Sequence, residues 1–181
     1  MKSKSPINVV LCGCGAVSQF FYAPSLLTLA QTGLLNVEWL VDPVGKNRAV
    51  LASLFPTAKT AAALDGLAVD GRLVVVASPP KFHAPQTILA LQNGASVLCE
   101  KPMAISTAEA EAMLAAAKNS PGVLAIGLYK RLFPACEATK GIIEEKTLGR
   151  LKHFTVQEGG KFGWLGKSPG SVAGPFLNTL L

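Results

Sequence analysis

The chain has 181 residues, half of them apolar, and its 17 Lys and Arg against 11 Asp and Glu give a net charge of +6. That length suits one domain of ordinary size, with enough chain to bury on the order of two-thirds of its unfolded surface. No apolar run approaches the ~18 residues of a membrane-spanning helix. The bases are scattered and the aromatic residues do not interleave with them, so the charge does not describe a nucleic-acid platform.

Met1-Lys2-Ser3-Lys4 followed by apolar residues has the outline of a signal peptide. The apolar stretch is broken by Asn8, Gly13 and Gly15, however, and reads better as the start of the fold. Ile7-Asn8-Val9-Val10-Leu11-Cys12 suits a buried strand, with residues 8–12 as its body. It runs into Gly13-Cys14-Gly15-Ala16-Val17-Ser18, one small-residue change from the dinucleotide fingerprint G-x-G-x-x-G/A. Gly13 permits the tight strand-to-helix turn, Gly15 lets a pyrophosphate approach the backbone, and Ser18 keeps the following helix close to the sheet. The free N–H groups and positive end of that helix would hold the phosphates.

A helix is expected over residues 16–30, extended or broken around Pro24, before Gly33. The next strand, residues 37–42, ends in Asp42, where an acid would grip a ribose hydroxyl pair. Its distance from Gly15 exceeds the typical ~20 residues. Asp42 should repel a 2′-phosphate and favour NAD, with Lys46 and Arg48 close enough to soften that preference. A helix follows over 46–55, then a short strand at 59–60 and a strand over 73–77. Ser78-Pro79-Pro80-Lys81-Phe82-His83 leads into a helix over 85–93, with Pro85 in its first turn and Gly94 as its stop.

The strand at 96–99 ends in Glu100-Lys101-Pro102, which sets one cation, Lys101, at the sheet edge where ligands of open α/β folds collect. Pro102 fixes the backbone that aims it, and Glu100 orients Lys101 or bonds backbone. Ser106 and Glu109 form a capping box for a helix over 107–118, closed by Asn119-Ser120-Pro121-Gly122. A strand is expected over 123–128, a helix over 134–145 and one further strand over 151–158. Near-continuous apolar strands alternating with helices describe a parallel sheet covered on both faces, an α/β doubly wound Rossmann-type fold.

Taken together these motifs resemble the glucose–fructose oxidoreductase / inositol dehydrogenase / rhizopine catabolism (Gfo/Idh/MocA) family of NAD(P)-dependent oxidoreductases. The resemblance runs from about Ile7 to Trp164. It rests on loop 13–18, on the segment from Val74 to His83 and on Val97-Leu98-Cys99-Glu100-Lys101-Pro102-Met103-Ala104. Gly127-Leu128-Tyr129-Lys130-Arg131-Leu132-Phe133-Pro134 is more loosely similar to the family's crossover into its second domain. The resemblance implies a nucleotide-binding domain over 1–129 and an incomplete start of a substrate and oligomerisation domain over 130–181. It implies NAD as cofactor, with NADP possible, and hydride exchange with a secondary alcohol of a small polyol or sugar. Lys101 would be the catalytic cation. Gly13, Cys14, Gly15, Ala16, Val17, Ser18, Asp42, Ser78, Pro79, His83, Glu100 and Lys101 would line the cofactor.

The family would continue with D-x-G-x-H, whose Asp and His move protons. Here the corresponding positions are Asn178 and Leu180, and no histidine follows. Asn cannot titrate, so the expectation is a truncated, inactive chain, or alternatively a non-catalytic nucleotide-binding or regulatory module. A homo-oligomer is expected, with no nucleic acid or membrane as partner. The cysteines, Cys12, Cys14, Cys99 and Cys136, lack paired metal-ligand spacing and read as free thiols of a cytoplasmic protein. His83 is read either as a residue at the cleft mouth or as a helix cap. His153, Trp39 and Trp164 are read as structural, and Asp65 and Asp70 as loop residues.

Overall fold

The computed structural model describes residues 5–157. Two compact units divide the chain, one reaching Gly127 and the other starting at Leu128. The first is built on six strands: β1 (Ile7–Cys12), β2 (Leu35–Val41), β3 (Lys59–Ala61), β4 (Leu73–Val76), β5 (Ser96–Cys99) and β6 (Leu124–Ile126). Every pairing is parallel and the order is β3-β2-β1-β4-β5-β6. The chain thus builds outward from β1 in one direction, then returns and builds outward from β4 in the other. The crevice at that reversal, beyond the carboxyl ends of β1 and β4, is where open α/β sheets take ligands.

The central strands are largely apolar because both faces are covered. In β1, Val10 and Cys12 pack with Val74, Val97, Leu91 and Met113 on one side of the sheet. Val9 and Leu11 pack with Leu26, Leu40, Leu51 and Phe55 on the other. This is the two-residue period of a strand with neither face left to water. Leu11, Leu40, Leu51 and Leu91 are fully buried, and each such side chain contributes ~1.5–3 kcal/mol.

The helices are α1 (Ala23–Gln31), α2 (Gly45–Ala52), α3 (His83–Gln92) and α4 (Thr107–Lys118). The expected first helix is present but interrupted: Ser18–Tyr22 forms a π turn, in which Ala23 N–H donates to Ser18 O five residues back. Pro24 follows in the first turn of α1 and has no N–H to continue the regular ladder. The capping box of α4 forms with one shift. Ser106 Oγ accepts from Glu109 N–H at 3.2 Å, while the Glu109 carboxylate accepts from Ile105 N–H rather than from the cap residue itself.

In the second unit a short 3₁₀ turn, Tyr129–Leu132, precedes α5 (Pro134–Glu144), with Pro134 in its first turn. The strand expected over 151–158 is corrected: residues 151–157 carry none, and Glu158 lies outside the described residues. A strand needs a neighbour to take its ladder bonds, and no pairing to this segment exists among the described residues. Trp164 and the tail containing Asn178 and Leu180 also lie outside the described residues.

Candidate functional site

At the carboxyl edge of the sheet, the backbone bonds continue past the strands into the loops. Gly13 N–H donates to Val41 O, Ala77 N–H to Cys12 O, Glu100 N–H to Val76 O and Gly127 N–H to Cys99 O, all within 2.9 Å. The loops that carry the candidate residues are therefore laced to one another.

Gly13 has φ +88°, and a methyl group there would stand 2.5 Å from Ser78 N and 2.6 Å from Ala77 C and O. No other residue fits that turn. Gly15 is the opposite case, since a methyl group there would meet no atom within 4 Å. The fold leaves the space above Gly15 open, at the start of a helix whose first N–H groups have no intrahelical acceptor. The donor set is a row of backbone N–H groups with the positive helix end behind them, which fits a pyrophosphate. Ser18, fully buried, turns its hydroxyl onto Gly13 O, and Gln19 Nε2 donates to Cys14 O at 2.8 Å. Gln19 escapes sequence reasoning because its partner depends on how the π turn rotates the helix.

Asp42 is only 7% exposed. Its Oδ2 accepts from Cys14 N–H and its Oδ1 from Val44 N–H, both at 2.8 Å. Asn47 Nδ2 approaches the same oxygens at 3.4 and 3.5 Å. The carboxylate at the end of β2 therefore anchors the glycine loop. The Arg48 guanidinium donates to the Asp42 carbonyl, while Lys46 is exposed. Burial, and then the Asp42 charge, push the Cys14 thiol up to about 12. Burial does the same to Cys12, also to about 12, and raises Cys99 to about 11.

Ser78 follows β4 and its hydroxyl donates to Gln86 Oε1 at 2.6 Å; Pro79 precedes a short 3₁₀ turn, Pro80–Phe82. His83 takes a different place from either one expected for it. It opens α3 without capping it, and it is 1% exposed rather than at a cleft mouth. Its Nε2 lies 2.8 Å from Ser78 O and its Nδ1 lies 2.7 Å from Pro102 O. The imidazole ties the loop after β4 to the loop after β5, because both ring nitrogens face backbone oxygens.

Lys101 is exposed at the end of β5, beside the Lys101–Pro102 peptide, which is cis. Glu100 Oε2 accepts from Lys101 N–H at 3.0 Å, and Oε1 accepts from the Tyr22 hydroxyl at 2.9 Å. Burial and then the Glu100 charge hold the Tyr22 phenol above its ordinary range. Nothing in the linear pattern marks Tyr22 as a partner of Glu100, because the two are 78 positions apart. Loop 13–18, Asp42, Ser78, Glu100 and Lys101 thus gather at one sheet edge, while His83 and Ser18 support it from within.

Elsewhere, His153 Nε2 lies 2.7 Å from Thr155 Oγ1 two residues on, and Trp39 carries the Lys59 ammonium 5.4 Å from its ring centre. No cluster of three metal-ligating side chains occurs among the described residues. No helix there is long and apolar enough to cross a membrane.

Residues 7–128 match the family model described as "Oxidoreductase family, NAD-binding Rossmann fold" (Gfo/Idh/MocA). The chain is 35% identical over 103 residues to trans-1,2-dihydrobenzene-1,2-diol dehydrogenase of Mus musculus, a match covering 56% of this chain and 31% of that one. The fold is similar to the WlbA dehydrogenase of Chromobacterium violaceum, solved with NADH and UDP-GlcNAcA, with a TM-score of 0.75 and 23% identity over 82% of this chain and 42% of that one. It is also similar to a levoglucosan dehydrogenase solved with NADH and levoglucosan, with a TM-score of 0.69 and 27% identity over 80% and 41%. The chain spans about a third of the mouse relative and less than half of each of these structures.

Proposed function

Because the chain belongs to the Gfo/Idh/MocA oxidoreductases, a family with an NAD-binding Rossmann fold, we propose that its first unit binds NAD for hydride exchange with a secondary alcohol of a sugar, cyclitol or related diol. The observation that carries the reading is the open space over Gly15, set between Asp42 on one side and Lys101 on the other along a single sheet edge. When bound, NAD supplies the hydride acceptor. The N–H groups of residues 15–17 hold its phosphates, and Ser18 and Gln19 keep that loop in shape. Asp42 accepts from the ribose and repels a 2′-phosphate, which favours NAD over NADP; Arg48 is engaged on the Asp42 carbonyl. Lys101 donates to the reacting oxygen and favours its negative charge. The four free thiols accord with a reducing cytoplasm.

The test is a fluorescence titration of the chain with NADH and with NADPH, repeated for Lys101→Ala. NADH should bind more tightly than NADPH, and Lys101→Ala should leave that affinity nearly unchanged. Equal or tighter NADPH binding would show that the Asp42 carboxylate does not read the ribose. With inositols and aldoses as substrates, any NAD reduction should fall ~10²–10³-fold in Lys101→Ala.

A further inference from the structure

We infer that Tyr22 is a positioning residue for Lys101, acting through the Glu100 carboxylate that the two share. The inference rests on the reading of this edge as a dinucleotide site and adds to it a residue from the π turn of the helix that follows the loop.

Glu100 Oε1 accepts from the Tyr22 hydroxyl at 2.9 Å while Oε2 accepts from the N–H of Lys101 at 3.0 Å. A carboxylate is planar, so fixing one oxygen fixes the direction of the other. Unfixed, its terminal torsion is broad. The Glu100 backbone is itself pinned by its N–H bond to Val76 O. Gly127 leaves the carboxylate just enough room, since a methyl group there would stand 3.2 Å from Oε1. Tyr22 closes the π turn, and the extra residue in that turn rotates its side chain toward the sheet edge. Such turns recur at functional sites. With its phenol held above its ordinary range, Tyr22 is a donor throughout the neutral range. The helix that carries Tyr22 begins in loop 13–18. A ligand on the loop and the backbone of Lys101 are therefore joined by one short segment and two hydrogen bonds.

The test uses the full chain labelled with ¹⁵N. The amide proton shift and hydrogen exchange of Lys101 are read in parallel with NADH affinity by fluorescence. In the parent the Lys101 amide should lie downfield, as an amide bonded to a carboxylate does. In Tyr22→Phe it should move upfield and exchange about tenfold faster, while NADH affinity stays within about threefold because the loop donors are untouched. Glu100→Ala, which removes the acceptor outright, should move the Lys101 amide upfield at least as far, and Tyr22→Phe made on top of it should add nothing further. A tyrosine that merely packs would leave the Lys101 amide where it is. An unmoved Lys101 amide in Tyr22→Phe, or independent additive shifts in the double variant, would overturn the inference. The amide readout needs no ligand, so failure of NADH to bind the parent would count against the dinucleotide reading alone.

Discussion

The Cys14 N–H donates to Asp42 Oδ2 at 2.8 Å, a bond between residues 28 positions apart that fastens the glycine loop to the end of β2. On the proposed reading one side chain serves two ends: it shapes the loop that would face the phosphates, and it would set negative charge beside the ribose. Asp42→Ala strands a buried donor at Cys14 and a part-buried one at Val44, and should cost about 1–3 kcal/mol of stability. It should also weaken NADH binding at least about tenfold, since the loop that presents the donors is released. Urea unfolding alongside NADH titration checks both, and a loss of affinity with unchanged stability would confine Asp42 to ligand contact.

The two loop glycines should fail in different ways. Gly15→Val places its side chain in open space, so the melting temperature should hold within a few degrees while NADH binding is lost. Gly13→Ala forces a left-handed backbone on an L residue and drives its Cβ into Ala77 and Ser78. It should destabilise the fold by about 2–5 kcal/mol. Circular dichroism melts and NADH fluorescence on the two variants separate these outcomes, and equal melting temperatures would contradict the loop geometry.

Acid should act on the Glu38–Arg72 pair. Arg72 Nε and Nη2 donate to Glu38 Oε2 and Oε1 at 2.7 and 3.2 Å, joining β2 to the start of β4. The hydrogen bonds from Arg72 hold the Glu38 carboxyl below its ordinary 4.5. A depressed carboxyl contributes stability that is present above pH 4.5 and lost as pH falls through its folded value. The pair lies near the surface and should contribute about 1 kcal/mol or less. Glu38→Gln should therefore destabilise at pH 7 and approach the parent as pH falls below the carboxyl's folded value, as read by urea unfolding at pH 7 and at successively lower pH. A constant difference would mean that packing, not charge, is what the substitution removes.

Thiol chemistry should be selective. Cys136 is exposed, whereas Cys12, Cys14 and Cys99 are buried, and burial raises their thiols to about 12, 12 and 11. At pH 8 a thiol reagent should modify Cys136 alone until denaturant is added, as mass spectrometry of labelled peptides would show. The buried thiols keep their protons in the folded state. Stability should therefore fall as pH rises above their ordinary value of 9.0, where unfolding releases those protons. Rapid labelling of Cys14 in the native protein would show that loop 13–18 opens.

Much of this molecule is legible in short stretches of chain. The span of β5 and of α4 follows from an apolar run and a cap that each lie within a few residues. The tight turn after β1 already calls for a glycine at 13, and the packing of Ala77 and Ser78 adds to that demand. The doubly wound sheet follows from the alternation of such segments, because continuous apolar strands must be covered on both faces. Local patterns also place Asp42 and Lys101 at strand ends, since strand boundaries are set by nearby turn residues.

Other features were settled only by how distant segments meet. Residues 151–157 have apolar content suited to a strand, yet a strand forms only where a neighbour supplies ladder bonds. His83 looks the same in sequence whether it lines a cleft, caps a helix or bridges two loops. The positions of the Ser78 and Pro102 carbonyls decide among these. The π turn at Ser18–Tyr22 rotates the helix by a fraction of a turn, which no periodicity read along one segment registers. That rotation delivers Tyr22 to Glu100. The amino-acid sequence by itself determined the elements and the residues at their ends, because those depend on local backbone and burial preferences. Only the tertiary structure decided which of those end residues hold one another, because hydrogen bonds depend on distances that sequence separation does not encode.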